Sequence, residues 1–235
     1  MAKNDLISRT QGVFSRMKLA CGTLNQTPID WEGNKSRIIA AIEAARADKV
    51  TLLLLPELCI SGYGCEDLFL AEGISKTSQE TLLEILPHTK GIVVSLGLAI
   101  WKDEKMYNTA CLIADGEVCG FVAKKFLPDF GIHYESRWFT SWEKGGVVEH
   151  ELGGKTYPFG DLVFDLQGVS IAYEICRDAW VEDRPLKDFE DVQVVLNPSA
   201  SHFAFKRHKE RQELVLSSAK KFAVHYLYSN LLGNE

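Results

Sequence analysis

An apolar run ends abruptly in a polar turn in the stretch Val169-Ser-Ile-Ala-Tyr-Glu-Ile-Cys176-Arg-Asp-Ala-Trp180. This pattern is typical of a strand that presents a thiol at the edge of a sheet. A cysteine at a strand end is only a candidate nucleophile, because buried structural cysteines are the commoner case. Cys176 therefore indicates catalysis only if other segments supply partners for it.

Two further segments place a charged residue at the end of an apolar run. Glu57 follows Val50–Leu55, and Lys124 ends the strand-like run that begins at Glu117. A thiol that attacks an amide needs a base beside it, because the thiolate is the reactive form. Glu57 would be that base, and partial desolvation at the strand end would strengthen it. Lys124 would stabilise the anionic oxygen of the tetrahedral intermediate, with the backbone N–H of Arg177 as a second donor.

Helical and strand-like segments alternate at both ends of the chain, and hairpins lie between them. Turn signals are Asp115-Gly116 and Gln167-Gly168. This order predicts an α/β layered fold with a mixed sheet. The predicted helices are 31–47, 75–86 and 206–222, and the predicted strands are 18–25, 50–55, 92–100, 107–114, 117–124, 162–166, 169–176, 192–196 and 225–230.

Composition restricts the class of protein. The chain has 235 residues, of which 46% are hydrophobic and 25% charged, and its net charge is −6. One globular domain is predicted over residues 17–235, with the polar, aperiodic residues 1–16 as an N-terminal extension. The negative charge disfavours a nucleic-acid partner, and no apolar stretch has membrane length.

The cysteine pattern disfavours metal binding. Six cysteines occur without a Cys-x-x-Cys pair, and no histidine pair has zinc-finger spacing. Several lie in apolar runs, as expected of reduced, buried thiols in a cytoplasmic protein. We therefore predict a cytoplasmic protein without a metal site.

Glu57, Lys124 and Cys176, in this chain order and each at a strand end, resemble the triad of the nitrilase (carbon–nitrogen hydrolase) superfamily. The resemblance implies a four-layer α-β-β-α sandwich. It also favours Lys124 over Lys125, because the superfamily places its lysine just before a short step into Leu-Pro. Glu135 matches a second glutamate of the superfamily, which implies that it positions the substrate and the lysine. A loop glutamate paired with Arg137 is the alternative interpretation.

Several segments are similar to the amidase half of the glutamine-dependent NAD synthetase family. In that family, this half hydrolyses L-glutamine, and ammonia passes to a C-terminal synthetase domain. That domain uses ATP and magnesium to convert nicotinic acid adenine dinucleotide to NAD. The resemblance thus implies no cofactor for the present domain, and it implies a homo-oligomer. The similar segments are 25–34, 56–63, 66–69, 127–131, 134–139, 197–203 and 226–234.

The same resemblance implies substrate contacts. Ser201 and Arg207 match positions that hold the α-amino and α-carboxyl groups of glutamine, and Trp180 is expected to line the pocket. Arg207 also begins a basic run that is typical of a solvated helix start, so both interpretations stay open.

Two residues depart from the family pattern. Arg177 stands where the family often has an acidic residue that binds the substrate ammonium, which leaves Asp178 as a possible substitute. Phe130 replaces a common tyrosine, which removes a hydroxyl group. The alternatives to glutamine hydrolysis are a standalone amidase acting on another small amide, and a binding scaffold without turnover.

Overall fold

A computed structural model describes residues 17–232; the predicted extension over residues 1–16 lies outside this range. Within it, the α-helices are α1 (Trp31–Ala47), α2 (Glu72–Ile85) and α3 (Arg207–Phe222). The strands are β1 (Leu19–Cys21), β2 (Leu52–Leu54), β3 (Val93–Lys102), β4 (Lys105–Ala114), β5 (Glu117–Ala123), β6 (Val147–Leu152), β7 (Lys155–Gly160), β8 (Phe164–Leu166), β9 (Val169–Tyr173), β10 (Val194–Ser199) and β11 (His225–Asn230).

The strands form two mixed sheets. The first has the order β1-β2-β3-β4-β5-β7-β6, and the second has the order β11-β10-β9-β8. Parallel pairs join β1 to β2, β2 to β3 and β5 to β7 in the first sheet, and β9 to β10 and β10 to β11 in the second. The remaining neighbours are antiparallel hairpins.

Alternating side chains of β2 show how the first sheet is covered. Leu53 packs into the core cluster that contains Ile38 and Ile42 of α1, whereas Leu52 and Leu54 pack into a different cluster with residues of the second sheet. Successive strand residues point to opposite faces, so both faces of β2 are buried. The continuous apolar run of this strand follows from that double burial.

The second sheet repeats the arrangement. Val194 and Leu196 of β10 face the core between the sheets, while Val195 packs with Val215 and Phe222 of α3. The layers are therefore α1 and α2, the seven-stranded sheet, the four-stranded sheet, and α3. The predicted four-layer α-β-β-α sandwich is confirmed.

Both predicted turns have the backbone that a tight hairpin requires. Asp115 and Gly116 have φ of 52° and 85°, and Gln167 and Gly168 have φ of 53° and 87°. Two successive residues with positive φ match the right-handed twist of the flanking strands.

Several features differ from the predicted elements, and two of them bear on the site or on the sheet order. The hairpin β6–β7 was not predicted, because β6 buries only His150 and Leu152 and shows no apolar run. The strand predicted to reach Cys176 ends at Tyr173, and a 3₁₀ helix begins at Cys176. The nucleophile candidate thus lies on a turn just beyond its strand.

Candidate active site

The ends of β2 and β5 bring two oppositely charged residues into direct contact. The Nζ atom of Lys124 lies 2.6 Å from Oε1 of Glu57. The same atom lies 2.9 and 2.7 Å from the two carboxylate oxygens of Glu135. All three side chains are buried. Lys124 is therefore a cation held between two carboxylates.

Glu57 is fixed by two further hydrogen bonds. Its Oε1 accepts from Nδ2 of Asn108 at 2.7 Å, and its Oε2 accepts from the backbone N–H of Ala200 at 2.8 Å. Each carboxylate oxygen thus has a donor, which offsets the cost of burying the charge. These contacts hold the carboxylate in one orientation beside the thiol.

Cys176 takes up a constrained backbone conformation at the start of its 3₁₀ helix. Its φ is 46°, which is uncommon for a residue with a Cβ atom. Such strain persists only where surrounding contacts impose it, and it is common at functional sites. The thiol of Cys176 interacts electrostatically with Glu57, Lys124 and Glu135, so the turn lies beside the charged cluster.

Asp178 holds this turn to the lysine segment. One of its carboxylate oxygens accepts from the backbone N–H groups of Lys125 at 3.1 Å and Phe126 at 2.8 Å, and the other accepts from Ile175 at 2.9 Å. Burial raises the pKa of Asp178 to about 6. Both oxygens accept hydrogen bonds from backbone N–H groups, and a contact between Asp178 and a substrate ammonium stays a prediction.

The electrostatics of the cluster assign protonation states. Burial raises the pKa of the Cys176 thiol well above its ordinary value, and the charge of Glu57 adds to this against the attraction of Lys124. Burial opposes charge on Lys124 as well, but Glu135 and Glu57 raise its pKa well above the usual range. At neutral pH, the site therefore holds a thiol, which needs a base, beside a permanent ammonium.

Glu135 and Tyr63 complete the buried cluster. The phenol of Tyr63 donates a hydrogen bond to Glu135. Burial raises the pKa of Glu135 to about 7, and it also raises that of Tyr63, which stays a neutral donor. Glu135 contacts Lys124 and Tyr63 and not Arg137, whose guanidinium pairs with Asp67. The alternative of a loop ion pair for Glu135 is therefore wrong.

A cavity of about 120 Å³ opens onto the sulfur. Pockets for drug-sized ligands measure about 300–1,000 Å³, so this one suits a small substrate. Each residue predicted to contact substrate lines it: Phe130, Glu135, Arg177, Trp180, Ser201 and Arg207. Lining residues that were not predicted are Tyr63, Pro128, His133, Ala200 and His202.

The position of Arg207 is compatible with both interpretations that the sequence left open, and its contact with substrate stays a prediction. It lines the cavity, and its guanidinium also pairs with Glu210 at 2.8 Å in the first turn of α3. One turn further along, Arg211 donates to the backbone oxygens of Ser201 at 2.8 Å and His202 at 2.6 Å. Arg211, which was not predicted, therefore shapes the loop that forms one wall.

Some of the missed residues carried a weak signal. Tyr63 is the last residue of the segment 56–63, which also contains Glu57. Its position in the sequence could not show that its side chain contacts Glu135. Asn108 lies inside β4, and no neighbouring sequence motif indicates a functional role for it. His133 and His202 flank predicted residues, and their ring nitrogens lie 3.0 Å apart at the cavity.

A larger cavity of the described chain lies away from the predicted site residues. A cavity of about 470 Å³ lies between α2 and the β6–β7 hairpin, but none of the predicted site residues lines it. Residues 17–232 contain no group of three or more histidine, cysteine or acidic side chains arranged to hold a metal ion. No helix in that range is long and apolar enough to cross a membrane.

The fold and the sequence together define the class. The chain belongs to the carbon–nitrogen hydrolase family, whose sequence model matches residues 18–234. It is an enzyme domain of that family with a four-layer sandwich fold. Among particular proteins, it is similar to glutamine-dependent NAD(+) synthetases. The Saccharomyces cerevisiae enzyme is 32% identical over 228 residues, which is 92% of this chain and 32% of that protein.

Solved structures agree with this placement. A glutamine-dependent NAD(+) synthetase from Cytophaga hutchinsonii superimposes with a TM-score of 0.87 at 43% identity, over 93% of this chain and 36% of that chain. An amidase from Nesterenkonia sp. superimposes with a TM-score of 0.75 at 21% identity, over 95% of this chain and 80% of that one, which shows the shared fold. The chain spans about a third of the length of the synthetases that it matches.

Proposed function

We propose that this chain hydrolyses the side-chain amide of L-glutamine. The observation that carries the proposal is a buried ammonium, Lys124, held between Glu57 and Glu135 beside the Cys176 thiol in a small cavity. The similarity to glutamine-dependent NAD(+) synthetases supports glutamine as the substrate.

The arrangement supports a thioester mechanism. Glu57 takes the proton of Cys176 as the sulfur attacks the amide carbon. The Nζ of Lys124 and the backbone N–H of Arg177 stabilise the oxyanion. The C–N bond then breaks, and Glu57 returns its proton to the departing ammonia. Water, deprotonated by Glu57, attacks the thioester, and the sulfur leaves with a proton to release glutamate.

The wider context is also proposed. The ammonia would pass to a C-terminal synthetase domain that makes NAD from nicotinic acid adenine dinucleotide with ATP and magnesium. The present domain would need no cofactor of its own. We further propose a cytoplasmic homo-oligomer. Free, partly buried cysteines suit a reducing compartment, and the superfamily commonly assembles through this domain.

The test is turnover on a panel of amides. Glutamine should yield glutamate and ammonia faster than propionamide, and Cys176→Ala should have no turnover. Cys21→Ala is the matched control, because this thiol is exposed on β1 and lies outside the cavity. Substantial activity in Cys176→Ala would contradict the thioester mechanism. A higher rate with propionamide than with glutamine would contradict glutamine as the substrate.

A further inference from the structure

The charges around the cavity are unequal. Arg177 and Arg207 line it, and Glu135 is the only acidic residue among the described residues of the lining. Burial lowers the pKa of His133 and of His202, which favours their neutral forms. Both oxygens of Glu135 contact the ammonium of Lys124, and one also accepts from Tyr63. No lining carboxylate is therefore available to a cationic group on a substrate.

Three acidic residues near the lining already have hydrogen-bond or ion-pair partners as well. Glu57 accepts from Lys124, Asn108 and Ala200. Asp178 accepts three backbone N–H groups, as described above. Glu210 faces the guanidinium of Arg207. A substrate ammonium would thus enter a cavity whose carboxylates already serve other donors.

Arg177 has the geometry of an anion-binding residue. Its guanidinium lies 4.6 Å from the ring centroid of Phe130, and among the described residues no carboxylate lies within 4.0 Å of its nitrogen atoms. A guanidinium held over an aromatic face keeps its N–H donors in its own plane, where they can bind a planar carboxylate in a bidentate manner. The side chain is half-buried, so water screens this charge only in part.

We propose that Arg177 makes this site recognise an ω-amide by a remote carboxylate and not by an α-ammonium. The substrate class is then the small ω-amido acids, including those without an amino group. The inference rests on the proposed function, since it concerns the same cavity and the same nucleophile. The carboxylate would be attracted by Arg177 with Arg207, whereas the ammonium of glutamine would gain no ionic partner.

Three substrates separate these charges. Glutamine carries both groups, 4-carbamoylbutanoate lacks the ammonium, and 4-aminobutanamide lacks the carboxylate. In the intact 235-residue chain, kcat/KM for 4-carbamoylbutanoate should equal or exceed that for glutamine. The kcat/KM for 4-aminobutanamide should be about 10- to 100-fold lower, because a charge-assisted hydrogen bond usually contributes a free energy of that size.

Variants of Arg177 test the residue itself. Arg177→Gln should lower kcat/KM about 10-fold more for both carboxylate-bearing substrates than for 4-aminobutanamide. Arg177→Glu should reverse the order, so that glutamine is used better than 4-carbamoylbutanoate. Lys209→Gln is the matched control: it removes one positive charge from the exposed face of α3 outside the cavity, so all three values should stay unchanged. Far-UV circular dichroism shows whether each variant folds.

The outcomes separate the two proposals. A preference of 10-fold or more for glutamine over 4-carbamoylbutanoate, or an order unaffected by Arg177→Glu in a folded variant, overturns the inference and leaves glutamine hydrolysis standing. Turnover of 4-carbamoylbutanoate without turnover of glutamine overturns the proposed function and supports the inference. Turnover of none of the three overturns both.

Discussion

Lys124 is a buried cation at the centre of the site. It is fully buried and faces Glu57 at 2.6 Å and Glu135 at 2.7 Å. Burying a charge costs about several kcal/mol per ion unless an opposite charge and hydrogen bonds offset that cost. The cluster meets that condition, because each charge has an opposite neighbour. The positive charge is thereby ready before any oxyanion forms.

Glu57→Gln tests the base. An amide cannot accept the thiol proton, so acylation of Cys176 should slow by about 100-fold or more. Rapid quenching followed by intact-mass analysis measures thioester formation directly. Glu43→Gln is the matched control, because it makes the same change at an exposed position on α1. A normal acylation rate in Glu57→Gln would rule out its role as the base.

Glu135→Gln tests the second carboxylate by its pH dependence. The pKa of Glu135 is about 7, so its carboxylate form, which holds Lys124 and Tyr63, predominates above that pH. The kcat of the wild-type protein should therefore rise between about pH 6 and pH 8. In Glu135→Gln, this rise should be absent and kcat should be lower throughout. A variant that keeps the same rise would show that another group titrates there.

The elements act by placing these side chains at one point. The turn after β2, which carries Glu57, lies close against β3, and Gly97 makes this possible. A Cβ atom at Gly97 would lie 2.3 Å from the backbone nitrogen of Leu58 and 2.8 Å from the carbonyl carbon of Glu57. Both neighbours are backbone atoms, so neither can move aside without shifting the turn.

Gly97→Ala should therefore destabilise the fold and displace the base together. We expect a loss of about 1–3 kcal/mol in the free energy of unfolding, as for other overpacked sites, and a lower kcat. Gly73→Ala is the matched control: it lies in α2 with nothing within 4 Å of the added Cβ, so it should be neutral or stabilising. Urea titration and steady-state kinetics measure both. Unchanged stability and kcat in Gly97→Ala would contradict the close approach.

Local patterns predicted the elements whose burial is continuous or whose turns need a special backbone. The hairpin at Asp115-Gly116 is an example, because its dipeptide demands two positive φ values. The hairpin β6–β7 was not predicted, because its edge strand β6 buries few apolar side chains. The strand leading to Cys176 was predicted too long, because an apolar run does not show where ladder pairing stops. Resemblance, and not periodicity, supplied the four-layer arrangement.

At the scale of the whole molecule, the site is assembled from distant parts of the chain. Glu57, Lys124 and Cys176 meet because the two sheets pack face to face with their strand ends at the same edge. The charged types and their strand-end positions were visible in the sequence. Asn108, Tyr63 and Asp178 were missed in their present roles, because their contacts join residues 51, 72 and 53 positions apart.

The central claim is that Cys176 lies in a pocket that binds glutamine. Intact-mass analysis after incubation with 6-diazo-5-oxo-L-norleucine, a glutamine mimic that alkylates a catalytic thiol, tests it most directly. We predict a single label that L-glutamine blocks and that Cys176→Ala does not acquire. Absence of labelling, while a small unselective electrophile still modifies Cys176, would contradict a glutamine pocket at this thiol.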